Sequence, residues 1–247
     1  MDSEIGLSAF VAVAFAAVHV FGGRLNFLRV TPRSVWLSAA GGVSVAYVFV
    51  HLLPELAEHQ ETLAEELTGL LGGIEKHSYL LSLIGLMTFY GLDRLATCAP
   101  RPAAKEAHDG EVPGGVFWIH LGSFAVYNLL IGYLLLHREG GDRFGLLTYG
   151  VAMGLHFLVN DQGLRDQHGG SYQRTGRWLL AAAPLAGWGL GLATAISPPL
   201  IAAMFAFLAG GIVLNVLKEE LPEERESRFS AFAAGTIGYA ALLLATS

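Results

Sequence analysis

Eight apolar runs, at about 5–23, 34–54, 78–96, 115–136, 144–162, 177–196, 198–218 and 229–246, dominate this chain. Each is near the roughly 20 residues that an α-helix needs to cross a bilayer. In hydrocarbon every backbone N–H and C=O must be satisfied within the structure, which leaves few folds open to such a chain. Charged residues make up only 15% of the sequence, against about 25% in soluble domains. The expectation is an all-α polytopic membrane protein with residues 1–247 forming a single transmembrane domain. Asp2 and Glu4 precede the first run and Arg24 and Arg29 follow it. That order is the reverse of a secretory signal.

Lysine and arginine orient the spans. The connections after runs 1, 3, 5 and 7 hold Arg24, Arg29 and Arg33; Arg94, Arg101 and Lys105; Arg165, Arg174 and Arg177; and Lys218, Arg225 and Arg228. The other side holds Lys76, Arg138 and Arg143, a ratio of twelve to three. Positive charge collects on the cytoplasmic side, so both termini are expected outside, in a protein of the plasma membrane.

Runs 2 and 7 share a pattern. Run 2 carries Ala-Gly-Gly at 40–42, then apolar residues, then Leu-Pro-Glu at 53–55; run 7 carries Ala-Gly-Gly at 209–211 and Leu-Pro-Glu at 221–223. The charge count has them crossing in opposite directions. That predicts an inverted repeat, helices 1–3 against 6–8 with two between, a 3+2+3 plan found in secondary transporters. Residues 97–114, rich in proline and glycine, read as a cytoplasmic loop. Residues 57–76 are acidic, and Leu63, Leu67, Leu70 and Leu71 recur there at helical spacing, which predicts a surface helix at the membrane interface.

These features together resemble the ZIP family of divalent metal transporters: eight spans with both ends outside, His-Leu-Leu-Pro-Glu at 51–55, a polar fifth helix, and Glu-Leu-Pro-Glu at 220–223. The likeness covers nearly the whole chain through short motifs. It implies a metal path between helices 4 and 5, with ligands from a His-Asn-x-x-Asp/Glu-Gly motif on helix 4 and a His-Glu-x-Pro-x-Glu motif on helix 5. On helix 4 the family's His, Asn and acid fall on Ser123, Phe124 and Tyr127. On helix 5, His156 is kept, Phe157 replaces an acid, and Asn160 occupies the next ligand position.

Zinc and its neighbours take imidazole nitrogen, carboxylate oxygen and thiolate. Cys98 is the only cysteine, which excludes a thiolate cage and an intramolecular disulfide. The candidate ligands are therefore His156, Asn160 and Asp161 on helix 5, facing Asn128 and His120 on helix 4. His156 and Asn160 share a helix face, and antiparallel packing puts Asn128 near the depth of His156 and His120 near that of Asp161. The helix cores are read as free of Asp, Glu, Lys and Arg, so these ligands offer a dication little compensating charge. His51, Glu55 and His59, four apart, suit a cation-collecting outer mouth, and Glu220 with Glu219, Glu223 and Glu224 an acidic inner exit. His19, His77, His108, His137 and His168 read as surface or packing residues, and Asp93 with Arg94 as an interfacial pair.

The function expected is transmembrane transport of zinc, iron or manganese, with no resident cofactor and any such ion transported or weakly bound. The alternative is a divergent relative acting as scaffold, regulator or carrier of another solute. A minor alternative is an intramembrane metal hydrolase, although no catalytic signature is present and the chain is not expected to be an enzyme. Expected partners are lipid and a divalent metal ion. The net charge of −6, without a basic tract, excludes nucleic acid. The 31 glycines, Gly41–Gly42 and Gly210–Gly211 among them, let helices approach closely and allow a homodimer.

Overall fold

The computed structural model describes residues 2–24, 35–67, 76–98, 115–137, 143–220 and 228–245. Every regular element among them is helical: α1 (Asp2–Phe21), α2 (Val35–Tyr47), α3 (Leu53–Leu67), α4 (His77–Cys98), α5 (Gly115–His137), α6 (Arg143–Ser171), α7 (Arg177–Ala193), α8 (Pro198–Asn215) and α9 (Phe229–Leu244). The chain is an all-α integral membrane protein. Four stretches are long and apolar enough to span by length and composition, at Glu4–Arg24, Val35–Ala64, Phe117–His137 and Pro198–Lys218. Large apolar side chains also face outward around the bundle, including Phe10, Trp36, Met87 and Ile237. An aqueous surface does not tolerate so much exposed hydrocarbon, and lipid does.

Three π-turns interrupt the helices, at Val48–Leu52, Tyr172–Gly176 and Val216–Glu220. The first joins α2 to α3 without a break, Leu53 N–H reaching back to the Val48 carbonyl. Pro54 follows at once; its ring lacks an N–H and crowds the preceding turn, and a wider turn relieves both. The interfacial helix foreseen over 57–76 is thus a continuation of α2. It buries Leu56, His59 and Leu63 and packs on α8 and α4. Leu67 lies at its end, and Leu70 and Leu71 lie outside the described residues.

The fifth span also runs further than its hydropathy indicates, to Ser171 instead of 162. Gly169, at φ 49°, breaks the helix direction there, a backbone conformation open to glycine at little cost.

Three helix pairs meet backbone to backbone. A Cβ at Gly42 would overlap the Phe232 carbonyl of α9, and one at Gly235 the Ala39 carbonyl of α2. Gly210 meets Ser82 and Gly85 meets Phe207 across α4 and α8; Gly132 meets Pro184 and Gly187 meets Leu129 across α5 and α7. Such seams gain their energy from close packing, since apolar side chains gain nothing by leaving lipid for each other. Three of the glycines read as allowing close helix approach and a homodimer make such contacts within the chain. Gly42 packs against α9, Gly210 against α4, and a Cβ at Gly211 would strike the Phe89 ring. α1 packs on α6 and α7, and one apolar core runs through Phe15, Tyr47, Ile131, Met153, Phe157 and Ala209.

Candidate functional site

Polar side chains from α1, α5 and α6 gather where apolar packing would otherwise continue. His156 is fully buried, and its Nε2 accepts from the Tyr127 hydroxyl at 2.8 Å and from Asn160 Nδ2 at 3.0 Å. The lone pair that a metal would need is already in use. Phe157 packs edge-on against Phe15, ring centres 5.0 Å apart, which closes the α1 side with hydrocarbon.

One turn further along α6 lies a second group, and here the structure corrects the reading of His19. It is not a packing or surface residue: it is 1% exposed and holds three helices together. Its Nδ1 lies 2.9 Å from Asp161 Oδ1, and its Nε2 lies 3.2 Å from Asn128 Oδ1. Asp161 also accepts from Arg165 at 3.3 Å. Arg165, counted above as a loop cation, is a buried helical residue. The reading of helix cores without charge fails at Asp161, Arg165 and the buried Glu55. An arginine four residues beyond an aspartate continues a helix by pairing with it, so charge did not mark the helix end.

The hydrogen-bond pattern fixes the charge of this group. Asn128 Nδ2 donates to the Phe124 carbonyl at 2.7 Å, which turns Oδ1 toward His19, so His19 Nε2 carries a hydrogen. The contact between Nδ1 and the Asp161 carboxyl also requires a proton, since two bare acceptors do not bond. His19 and Asp161 are together neutral, wherever that shared proton sits. Arg165 then leaves the group with one net positive charge.

His120 does not approach Asp161. Its Nδ1 lies 2.9 Å from His168 Nε2, and its Nε2 lies 3.9 Å from Asp93. Asp93 is held by Lys218 at 2.7 Å. His168, read as a surface residue, is instead this histidine's partner. Asp93, His120, Asn160, Asn215 and Lys218 line a narrow polar cleft. Asn160 thus touches both the cleft and His156, and its buried Oδ1 has no hydrogen-bond partner among the described residues.

At the other end of the bundle His51 lies 3.5 Å from Glu55. His59 is buried, its ring centre 4.6 Å from that of Phe205. The three residues follow one another along one stretch of helix, but only His51 is substantially exposed, so they do not form an open mouth. Glu55 lines an apolar cleft with Tyr47, Tyr149 and Phe205. His77 is buried at the start of α4, where neither ring nitrogen has a hydrogen-bond partner among the described residues. His137 stacks on Tyr133 and donates to the Gly191 carbonyl at 3.2 Å. Glu219 and Glu220 end the third π-turn; Glu223, Glu224 and His108 lie outside the described residues.

Among the described residues no group of three or more His, Cys, Asp or Glu side chains is arranged to hold a metal ion. The residues brought together are instead Tyr127, His156 and Asn160, and beside them His19, Asn128, Asp161 and Arg165. Of these the sequence reading missed His19 and Arg165. A signal existed for each: a histidine in an apolar span needs a polar partner, and an Asp-Arg pair at i,i+4 extends a helix. No protein-family model and no curated protein matches this sequence.

Proposed function

We propose that this chain is a ZIP-like membrane permease that moves a small divalent cation, zinc, iron or manganese, past the His156 level. The observation that carries the reading is the gathering of Tyr127, Asn128, His156, Asn160 and Asp161 from α5 and α6 in the interior of the bundle, joined through Asn160 to a polar cleft. Polar side chains are costly in a membrane interior and mark solute paths there. In this reading the spans follow the 3+2+3 plan, both termini lie outside, and the Asp93–Lys218 cleft opens to the cytoplasm. The Arg24, Arg94 and Arg174 positions at that end favour the orientation even with Arg165 removed from the count.

Two features support the inverted repeat. The α2–α9 and α8–α4 pairs are equivalent under it, and each is sealed by one glycine from either helix, Gly42 with Gly235 and Gly210 with Gly85. π-Turns also stand at equivalent places, where α2 and α8 end. The solute group lies in α1, α5 and α6, which with α7 form the unit that would rock against α2, α3, α4, α8 and α9. A dication here meets mainly neutral ligands, so its stay is brief and its binding weak.

A second reading, a relative that carries no metal and serves as scaffold, regulator or carrier of another solute, is favoured by one observation: Asp161 already faces both His19 and Arg165. Uptake of Zn2+, Fe2+ and Mn2+ into vesicles holding the purified protein separates the two. The permease reading expects uptake that falls at least tenfold in His156→Ala. Absence of uptake of all three ions leaves the second reading.

A further inference from the structure

The buried guanidinium of Arg165 has more donors than the described residues supply acceptors for. It is 6% exposed, and one of its nitrogens reaches Asp161 while Nε and Nη1 have no hydrogen-bond partner. The Tyr172 ring lies under it, 5.4 Å from its central carbon, and the fully buried Tyr172 hydroxyl lies near Asp161 and Arg165 but makes no well-formed hydrogen bond to a described residue. Unpaired donors of this kind, enclosed by protein, are rare in native structures and point to an acceptor beyond the described residues.

Two further facts define that acceptor. The first is charge: His19 and Asp161 share their proton and are neutral as a pair, so Arg165 leaves one positive charge uncompensated where such a charge is costly. The second is shape. The chain passes Arg165 at Gly22 and Gly23, and a Cβ on Gly23 would lie 3.1 Å from Arg165 Nε and 3.2 Å from Gln173 Nε2. The glycine keeps a side chain off the unpaired Nε on that side, and Gln173 brings a further amide toward it.

We infer that Arg165, Tyr172 and Gln173, against the Gly22–Gly23 backbone, bind a small singly charged anion such as chloride or formate. A planar guanidinium edge with a hydroxyl and an amide suits a halide or a short carboxylate, and the enclosure excludes bulky anions. The anion brings the group with His19 and Asp161 to neutrality. None of these three residues takes part in the His156 group, so the inference goes beyond the permease reading and does not depend on transport.

The test uses the full chain in lipid-free nonionic detergent, titrated with sodium chloride, formate or gluconate at constant ionic strength. Chloride and formate are expected to raise the melting temperature saturably and gluconate is not, with chloride retained at one per chain in equilibrium dialysis. Tyr172→Phe and Gly23→Ala, which remove a donor and fill the cradle, are each expected to weaken the effect at least tenfold. Arg165→Gln is expected to abolish it, and because that variant risks misfolding the other two carry the test. Equal stabilisation by all three salts overturns the inference. So does an unchanged chloride response in both Tyr172→Phe and Gly23→Ala, or stabilisation that appears only with added phosphatidylglycerol, which would assign the acceptor to a lipid headgroup.

Discussion

The seam between α4 and α8 and the seam joining α1, α5 and α6 hold helices together by opposite means. In the first, Gly85 and Gly210 let two backbones touch, and no side-chain hydrogen bond is needed. In the second, His19 spans from Asn128 to Asp161 and polar side chains take the place of hydrophobic packing. The glycine seam is specified by shape and indifferent to charge or solvent. The polar seam is specified by a proton count, so it fails when any member is lost and can change when a charged solute arrives.

Substitutions that invade each seam test this contrast. The largest effect is expected for Gly210→Val, whose side chain would enter the Ser82 backbone; a loss of about 3 kcal/mol or more should appear as aggregation on size exclusion. Asp161→Ala comes next. It leaves Arg165 buried without its carboxylate, a loss of about 3–5 kcal/mol in thermal or denaturant unfolding. The double variant Asp161→Asn with Arg165→Met is expected to recover much of that, and no recovery would mean that packing, not charge, holds this seam. His19→Phe keeps the ring volume and strands Asn128 and Asp161, with an expected loss of about 2 kcal/mol. The smallest effect belongs to Gly122→Ala, on the same helix as Asn128 but with nothing near its missing Cβ. It is expected to raise stability by about 0.5–1 kcal/mol, the helix-propensity difference. A destabilised Gly122→Ala would show that α5 packs more tightly there than the contrast allows.

Which of these seams was legible in the sequence follows from the range of the interactions. The spans are a local property of hydropathy, and α1, α5 and α8 fall close to the runs read for them. Ala-Gly-Gly at 40–42 and 209–211 marked helices that pack closely, as a repeated pattern that also allowed a second copy. Choosing between an internal and an external partner requires knowing which helix lies opposite. The His19–Asp161 contact joins residues 142 positions apart, and no local pattern encodes it. The extent of α6 was misread for a different reason. A hydropathy window stops at the first charge, whereas Asp161 and Arg165 satisfy each other and let the helix run on. His156 was found because the family resemblance supplied its position. Asn160 was read beside it from the i,i+4 spacing, whereas Asn128, read at its depth, meets His19 and Tyr127 takes the place at His156.

The π-turn at Val48–Leu52 sets the angular phase of everything after it on the same rod. One spare residue there offsets α3 by about 100° from a straight continuation of α2, the rotation per residue of an α-helix. That offset is what turns Leu56, His59 and Leu63 toward α8 and α4. The segment should therefore accept changes of side chain far better than changes of length. A deletion just after the turn, between Leu53 and Leu56, would keep the turn and swing the rest of that buried face by about 100° toward lipid. In this stretch the quantity the fold conserves is a count of residues, and the identity of each one matters less.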